Sequence, residues 1–448
     1  MLGWVSTGFR TPGTEYQAPN FPRSLHFSRS CIGKLEPVLL KLEKMVHGGV
    51  ALAHLSAGQV ALVRGGLPGE RVKADLTSRS GVLQGVVAEV VDASPHRVPP
   101  SLHPGLDYSH ASYAHQLTLK RGVVEDALAR ACKAGVTVAP VVAAPEPWGY
   151  RSAVQPAVAR SAEGTALGYR LPDSSTTLPL VCDPVANAAI ARVWTLFQQT
   201  GVPKGVREVA MRGNDAGEVL VCLIASASAK NYLDFAHKLV GAGVTGVGYA
   251  SFDPRGRFRS GSERLAGARS LTQFYGAFEL SVAATSFAQP NPAAAGRLYA
   301  ELARWAGAGR SALDLYAGSG VIGLHLAGSF ERVTALELDR SSVVRGERDA
   351  ERLGVRNLAF VHADARKTAL PDAELIAVDP PRAGLAKATR QVLSASSAQK
   401  LLYVSCDPAT WARDVAELTQ TGWTLTRVQP FDFYPQTHHV EVLSLLTR

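Results

Sequence analysis

Beyond about residue 286 the chain repeats one pattern, a short apolar run followed by a turn and then a helical stretch. The runs fall at 312–316, 333–338, 358–361, 375–378 and 401–404, with two more at 425–428 and 439–446. Apolar runs of this length, spaced by helices, predict the strands of a parallel, doubly wound sheet. In such sheets ligands and chemistry collect in the crevice outside the carboxyl ends of the strands. The residues standing at those ends are therefore the first candidates for function.

Ala317-Gly318-Ser319-Gly320-Val321-Ile322-Gly323 turns the first strand into a helix, which is the context a nucleotide-binding glycine turn requires. Gly318 and Gly320 allow a tight turn and close backbone approach to a ligand. Glu337 ends the second strand, placed to accept from ribose hydroxyls, and Asp364 follows the third, where it can accept from an adenine amino group. Dinucleotide oxidoreductases and S-adenosylmethionine-dependent methyltransferases share this set, and the turn alone does not separate them. In Asp379-Pro380-Pro381-Arg382 the prolines stiffen the loop after the fourth strand and hold a carboxylate over the sheet edge.

Cys406 follows the fifth strand, inside LLYVSCDPATWARD at 401–414. A single cysteine is more often a small buried hydrophobe than a nucleophile. Here, however, the glycine turn, Glu337, Asp364, Asp379 and Cys406 end five successive strands, and the topology must bring them to one edge. Glu441 stands on the last run, with Val440 and Val442 pointing to the opposite face. A buried carboxylate there can have a raised pKa and act as a base.

The 448 residues exceed one ordinary core, and 46% hydrophobic with 19% charged content is that of a folded protein. No apolar run is long enough for a membrane helix, and the N-terminus lacks a secretion signal, so a cytoplasmic location is expected. The five cysteines are widely spaced with no C-x-x-C pair, which signals neither disulfides nor a metal site. A net charge of +9, from 47 Lys and Arg against 38 Asp and Glu, favours a polyanionic partner such as RNA.

Residues 1–33 read as a flexible N-terminal extension. From 34 to 93 short β-type runs with glycine corners predict a small closed barrel of the oligonucleotide-binding type, carrying Arg64, Arg71 and Lys73. Residues 94–285 predict a mixed α+β central part. Its 110–133 stretch is helical, with Lys120, Arg121, Arg130 and Lys133 available to solvent. Trp148-Gly149-Tyr150-Arg151 and Arg255-Gly256-Arg257-Phe258-Arg259 mix aromatics with arginine and suit RNA. Residues 286–448 form the doubly wound part.

Together these segments resemble the uracil-5 RNA methyltransferases, which make 5-methyluridine. The likeness runs from about 40 to 448 and rests on the barrel ending in LPGE, which resembles a TRAM domain. It rests also on SFAQPN at 286–291, DLYAGSGVIGLHLA at 314–327, DPPRAGL at 379–385, SCDPATWARD at 405–414 and FYPQTHHVEVLSLL at 433–446. The resemblance implies a Rossmann-like class I methyltransferase fold behind a TRAM, OB-like barrel. It implies Cys406 as nucleophile, Glu441 as base and Asp379 as a uracil-holding carboxylate. Gln289, Tyr316, Gly318, Gly320, Glu337, Asp364 and Asp379 are implied as S-adenosylmethionine contacts, and Phe287, Arg151 and Arg382 as RNA contacts. Ribosomal RNA, 23S in particular, is the first expected substrate and transfer RNA the second, with a monomer as the acting form. Relatives often carry four cysteines after the barrel as an iron–sulfur site; PPSLHPGLDYSHASYAHQLTLK has none here, so no cluster is expected. The competing readings are an RNA-binding protein with an inactive domain, which would need a lesion in the catalytic set, and a nicotinamide oxidoreductase, which leaves Cys406 and Glu441 without a purpose.

Overall fold

The computed structural model describes residues 37–55, 58–79, 81–132, 135–162, 164–172, 174–253, 261–368 and 370–448. The N-terminal extension and the arginine-rich set at 255–259 lie outside the described residues. Pro37–Arg448 is one compact unit.

Its first sheet has six strands, Val38–Lys41, Lys44–Val46, Val50–His54, Val60–Arg64, Arg71–Arg79 and Val82–Asp92. Alternate residues point inward, so Ala51 and Ala53, then Ala61 and Val63, then Val72 and Ala74, fill the interior. Where a closed barrel is expected, the sheet curls but stays open between its two edge strands, Val38–Lys41 and Lys44–Val46. Leu119 and Val123 of helix Tyr113–Ala131 complete its core. Glu70 of LPGE, fully buried, accepts from Arg97 Nε and Nη2 at 2.6 and 2.7 Å and ties the sheet to the connection behind it.

The opposite side of that helix, Val124, Ala127 and Leu128, packs into the C-terminal core. Lys120 on it is not available to solvent as expected. It is fully buried, and its Nζ lies 2.6 Å from Asp432 Oδ1 and donates to the Tyr434 carbonyl at 3.0 Å. A buried ammonium persists only when paired, and its partner is a carboxylate far along the chain.

The central sheet runs from Ala153–Val154 to Glu263–Gly267, with helices Ala188–Thr200 and Leu233–Gly241 supplying Trp194, Phe197 and Leu239 to its core. The hairpin Leu271–Tyr275 and Phe278–Val282 does not share that core. Leu271, Tyr275, Leu280 and Val282 join the C-terminal cluster with Leu298 and Leu302.

The C-terminal sheet has seven strands in the order Leu358–His362, Phe330–Glu337, Gly309–Leu315, Leu375–Val378, Lys400–Ser405, Glu441–Thr447, Thr424–Phe431. The first five are parallel, and Glu441–Thr447 inserts antiparallel beside Lys400–Ser405. Ser405 therefore pairs with Val442, which sets the start of one strand, Glu441, against the end of the other, where Cys406 follows. The reversal accounts for how a residue so late in the chain reaches the crevice.

Candidate active site

At the glycine turn Asp314 is fully buried, and its Oδ2 accepts from Gly323 N at 2.8 Å, pinning the start of helix Val321–Ala327. Burial pushes its carboxyl up to about 8. The chain then takes positive φ at Tyr316 (61°), Gly318 (57°) and Gly320 (78°). A side chain at Gly318 would meet nothing within 4 Å, so the backbone there faces open space. Gly320 has a different reason. A Cβ on it would lie 2.5 Å from Phe360, so it serves packing beneath the turn, and it does not line the cavity.

Glu337 accepts from Gly318 N at 2.9 Å and from Asp339 N at 2.7 Å, one bond to each oxygen. Each oxygen keeps a lone pair, so a diol can still be held while the carboxylate stays fixed. Asp364 is already engaged, since Arg366 forks both its oxygens at 2.7 to 3.1 Å. That hydrogen bonding lowers its carboxyl to about 2.

One cavity of about 1110 Å³ joins this turn to the cysteine. Gln289, Tyr316, Gly318, Glu337 and Asp364 line one end; Asp379, Arg382, Cys406, Tyr434 and Glu441 line the other, with Phe287 at the wall. Phe287 is 82% exposed, an unusual cost for a ring with no partner to cover it. Arg151 is not on the wall. Its guanidinium carbon lies 5.9 Å from the centre of the Tyr434 ring, and Tyr434 is.

The cysteine end is acidic. Glu441 is 2% exposed; burial first, then the charge of Asp379, push its carboxyl up to about 8 against the lowering pull of Arg382. Burial raises Asp379 to about 7. Cys406 rises to about 12 through burial and then the Glu441 and Asp379 charges. The helix Pro408–Thr419 begins just past Cys406, but Asp407 caps it, accepting from Ala409 and Thr410 N at 3.1 and 2.9 Å. The helix's positive end is thus taken by a carboxylate and does not favour a thiolate. The thiol is protonated at neutral pH, and sulfur can add to an electrophile only as its proton leaves. His439, neutral because burial lowers it to about 3, completes the wall against Tyr434.

Several residues holding this geometry carried no separate signal in the sequence. Asp414 is fully buried and accepts from Leu385 N at 2.7 Å and Tyr403 Oη at 2.8 Å, as well as from Arg390 and Arg413. It thereby fastens the loop that bears Asp379 and Arg382 to the strand that bears Cys406. The 286–291 loop is held by Arg212 Nη2 to the Ser286 carbonyl at 2.8 Å, Tyr275 Oη to the Gln289 carbonyl at 3.0 Å and Ser152 N to the Pro290 carbonyl at 2.7 Å. Asp414 closes the SCDPATWARD segment, and its fixed spacing from Cys406 was the only trace it left. The described cysteines are free thiols.

The arrangement suits a nucleoside at the glycine turn and a second, planar group between Cys406 and Glu441. A family model described as tRNA (uracil-5-)-methyltransferase matches residues 370–448. An RNA methyltransferase of Thermosynechococcus vestitus, itself described as uncharacterized, is 32% identical over 444 residues, 91% of this chain and 97% of that protein. A second, from Gloeobacter violaceus, is 30% identical over 92% of this chain and 97% of the relative. Among solved structures, the Pyrococcus abyssi tRNA (uracil-54, C5)-methyltransferase in complex with S-adenosyl-L-homocysteine aligns over 92% of this chain and all of that one, with a TM-score of 0.73 at 22% identity.

Proposed function

The chain belongs to the uracil-5 RNA methyltransferase family, and from that premise we propose that it uses S-adenosylmethionine to methylate carbon 5 of a specific uridine in 23S ribosomal RNA through a transient bond to Cys406. The observation that carries the reading is the single cavity with hydroxyl acceptors at one end and a thiol facing two carboxyls at the other. Glu337, the Gly318 turn, Gln289 and Tyr316 would hold the cofactor, and the open space over Gly318 fits one. S-adenosylmethionine supplies, when bound, an electrophilic methyl group.

The protein's own part follows from uracil chemistry. Carbon 5 of uracil is a poor nucleophile because the ring is electron-poor. As Cys406 gives its proton to solvent, which it partly faces, and its sulfur bonds to carbon 6, the ring becomes an enolate with electron density on carbon 5. After methylation the hydrogen on carbon 5 must leave as a proton. Glu441, with a carboxyl poised near 8, can take it when ionised, and the carbon–sulfur bond then breaks to return the thiolate. Asp379 faces the same space and holds the base. Arg382 is the cation beside these acids; it offsets their charge and meets the RNA backbone. Phe287 offers a ring for stacking, and a uridine in a duplex must be flipped out to reach it, so an unpaired or loop target is expected.

Ribosomal RNA is preferred because the curled six-stranded sheet resembles the barrel of relatives that mostly act there. Transfer RNA is the second reading, favoured by the description of the matching family model. The chain is read as acting as a monomer in the cytoplasm; among the described residues no helix is long and apolar enough to cross a membrane. Mass-spectrometric mapping of 5-methyluridine in separated 23S and transfer RNA, from cells with and without this chain, tests the proposal. One 23S site should lose the modification; loss confined to transfer RNA selects the second reading, and no loss in either defeats both.

A further inference from the structure

The curled N-terminal sheet reaches the nucleophile directly. Its turn between Lys44–Val46 and Val50–His54 is His47-Gly48-Gly49, and His47 Nε2 lies 3.3 Å from Asp407 Oδ2, on the residue after Cys406. Cys406 shares a small cavity of about 10 Å³ with Val46, His47 and Gly48 on one side and His438 and His439 on the other. The contact is tight. A Cβ on Gly49, whose φ is +74°, would sit 2.4 Å from Asp107 Oδ2 and 3.0 Å from His438. Asp107 in turn accepts from His438 N at 2.9 Å and meets its Nδ1 at 2.5 Å, three residues before Glu441. The turn therefore touches both segments that deliver the reacting groups. Lys44 anchors it from the other side, 2.6 Å from Asp126 on helix Tyr113–Ala131.

We propose that His47 is a positioning residue for the nucleophile, holding the Asp407 loop in place and offsetting the carboxylate next to the Cys406 thiol. This deepens, and rests on, the reading of Cys406 as the nucleophile of uracil methylation. It also gives the N-terminal sheet a part in the chemistry besides holding RNA. Asp407 raises the thiol's pKa, alongside Glu441 and Asp379, while Arg382 lowers it. Asp407 raises the imidazole in turn, through their hydrogen bond, against Arg130 and Arg382. His47 thus sits opposite the carboxylate that most closely follows the sulfur in the chain, and that carboxylate favours its charged form; its side chain is 41% exposed, so replacing it leaves no core unfilled.

The test uses the full chain without cofactor or RNA. Iodoacetamide alkylates the thiolate with loss of iodide, and peptide mass spectrometry reads the labelling rate at Cys406, with exposed Cys182 as internal control. At pH 6 to 7.5, where an imidazole raised from 6.5 carries charge, His47→Ala should slow Cys406 labelling about three- to tenfold, as expected when a neighbouring carboxylate loses its counter-charge, and the difference should shrink as pH rises and His47 loses its proton. Cys182 should not change. His47→Arg, which keeps a cation, should return the rate to within about twofold of the parent. Single-turnover methyl transfer should fall with the labelling in His47→Ala, while RNA affinity stays within about twofold. Equal Cys406 labelling in the parent and His47→Ala overturns the proposal, as does an arginine variant as slow as alanine. A loss of RNA affinity without any change at Cys406 would reduce His47 to an RNA contact and also overturns it. None of these outcomes bears on whether Cys406 is the nucleophile, because that reading fails separately if Cys406→Ala still methylates.

Discussion

The two ends of the cavity are built from the same kinds of residue and do opposite things with them. Where the cavity meets the glycine turn, the two carboxylates that line it are engaged: Asp364 is held at about 2 by Arg366, and Glu337 is fixed by two backbone amides. At the cysteine end a buried Glu441 stands with half-buried Asp379 and Cys406, and each is raised, to about 8, 7 and 12. Hydrogen bonding decides the first case and desolvation the second. A carboxylate that stays charged recognises hydroxyls and amines, whereas one balanced near neutrality moves protons. The contrast says which end binds and which end reacts, and each prediction below tests one side of it.

The largest effect is expected from Cys406→Ala. Turnover should drop by roughly four orders of magnitude or more, as when a covalent nucleophile is removed, while S-adenosylmethionine binding measured by calorimetry stays near the parent. Turnover that survives, or binding that collapses with it, breaks the division. Glu441→Gln comes next, with turnover reduced by about 10²- to 10⁴-fold. Because only the last proton transfer is blocked, this variant should accumulate a protein–RNA adduct on denaturing gels. Free protein alone in that lane would remove Glu441 from the role of base.

The raised carboxyls also make stability depend on pH, with a definite sign. In the folded chain Glu441 holds its proton up to about 8, whereas in the unfolded chain it loses it near its ordinary value of 4.5. Between those values the native state binds more protons, so stability falls as pH rises through the window. Glu441→Gln removes that contribution and should flatten the fall by up to about 1.4 kcal/mol per pH unit. Denaturant melts at pH 5, 6.5 and 8 read the difference. Parallel slopes for parent and variant would mean that Glu441 is already ionised in the free protein.

How much of this was legible in the sequence follows from the same physics. Cys406, Asp379 and Glu337 each close an apolar run, and a polar residue ending a buried strand has only the crevice to point into. Lys120 was misread because a lysine on a half-apolar helix ordinarily faces water; its partner Asp432 is 312 positions away, beyond any local pattern. The hairpin at 271–282 has no separate reading in the sequence, and its apolar residues do not say which core they will join. Gly320 looks like a ligand glycine from spacing alone, and only the position of the Phe360 ring shows that the missing side chain makes room for packing. His47 had no signal, since a histidine before two glycines is an ordinary turn until Asp407 is brought to it.

The smallest effect belongs to Arg366, and it probes the binding end most finely. Asp364 gives both oxygens to the Arg366 fork, and Oδ1 also accepts from Arg366 N at 3.0 Å, so Oδ2 is the oxygen with room for a further donor. An adenine amino group that donates to Asp364 must share the carboxylate with that guanidinium, in a setting exposed enough to weaken the ion pair by solvation. Arg366→Ala frees the acceptor and removes a competing donor. S-adenosylhomocysteine should then bind about two- to threefold more tightly, a change of well under 1 kcal/mol, while the labelling of Cys406 stays unaltered. Weaker binding would instead make Arg366 a direct ligand contact or the support that orients Asp364. A change at Cys406 would mean that the two ends communicate through the cavity wall and are not the separate environments their carboxyls indicate.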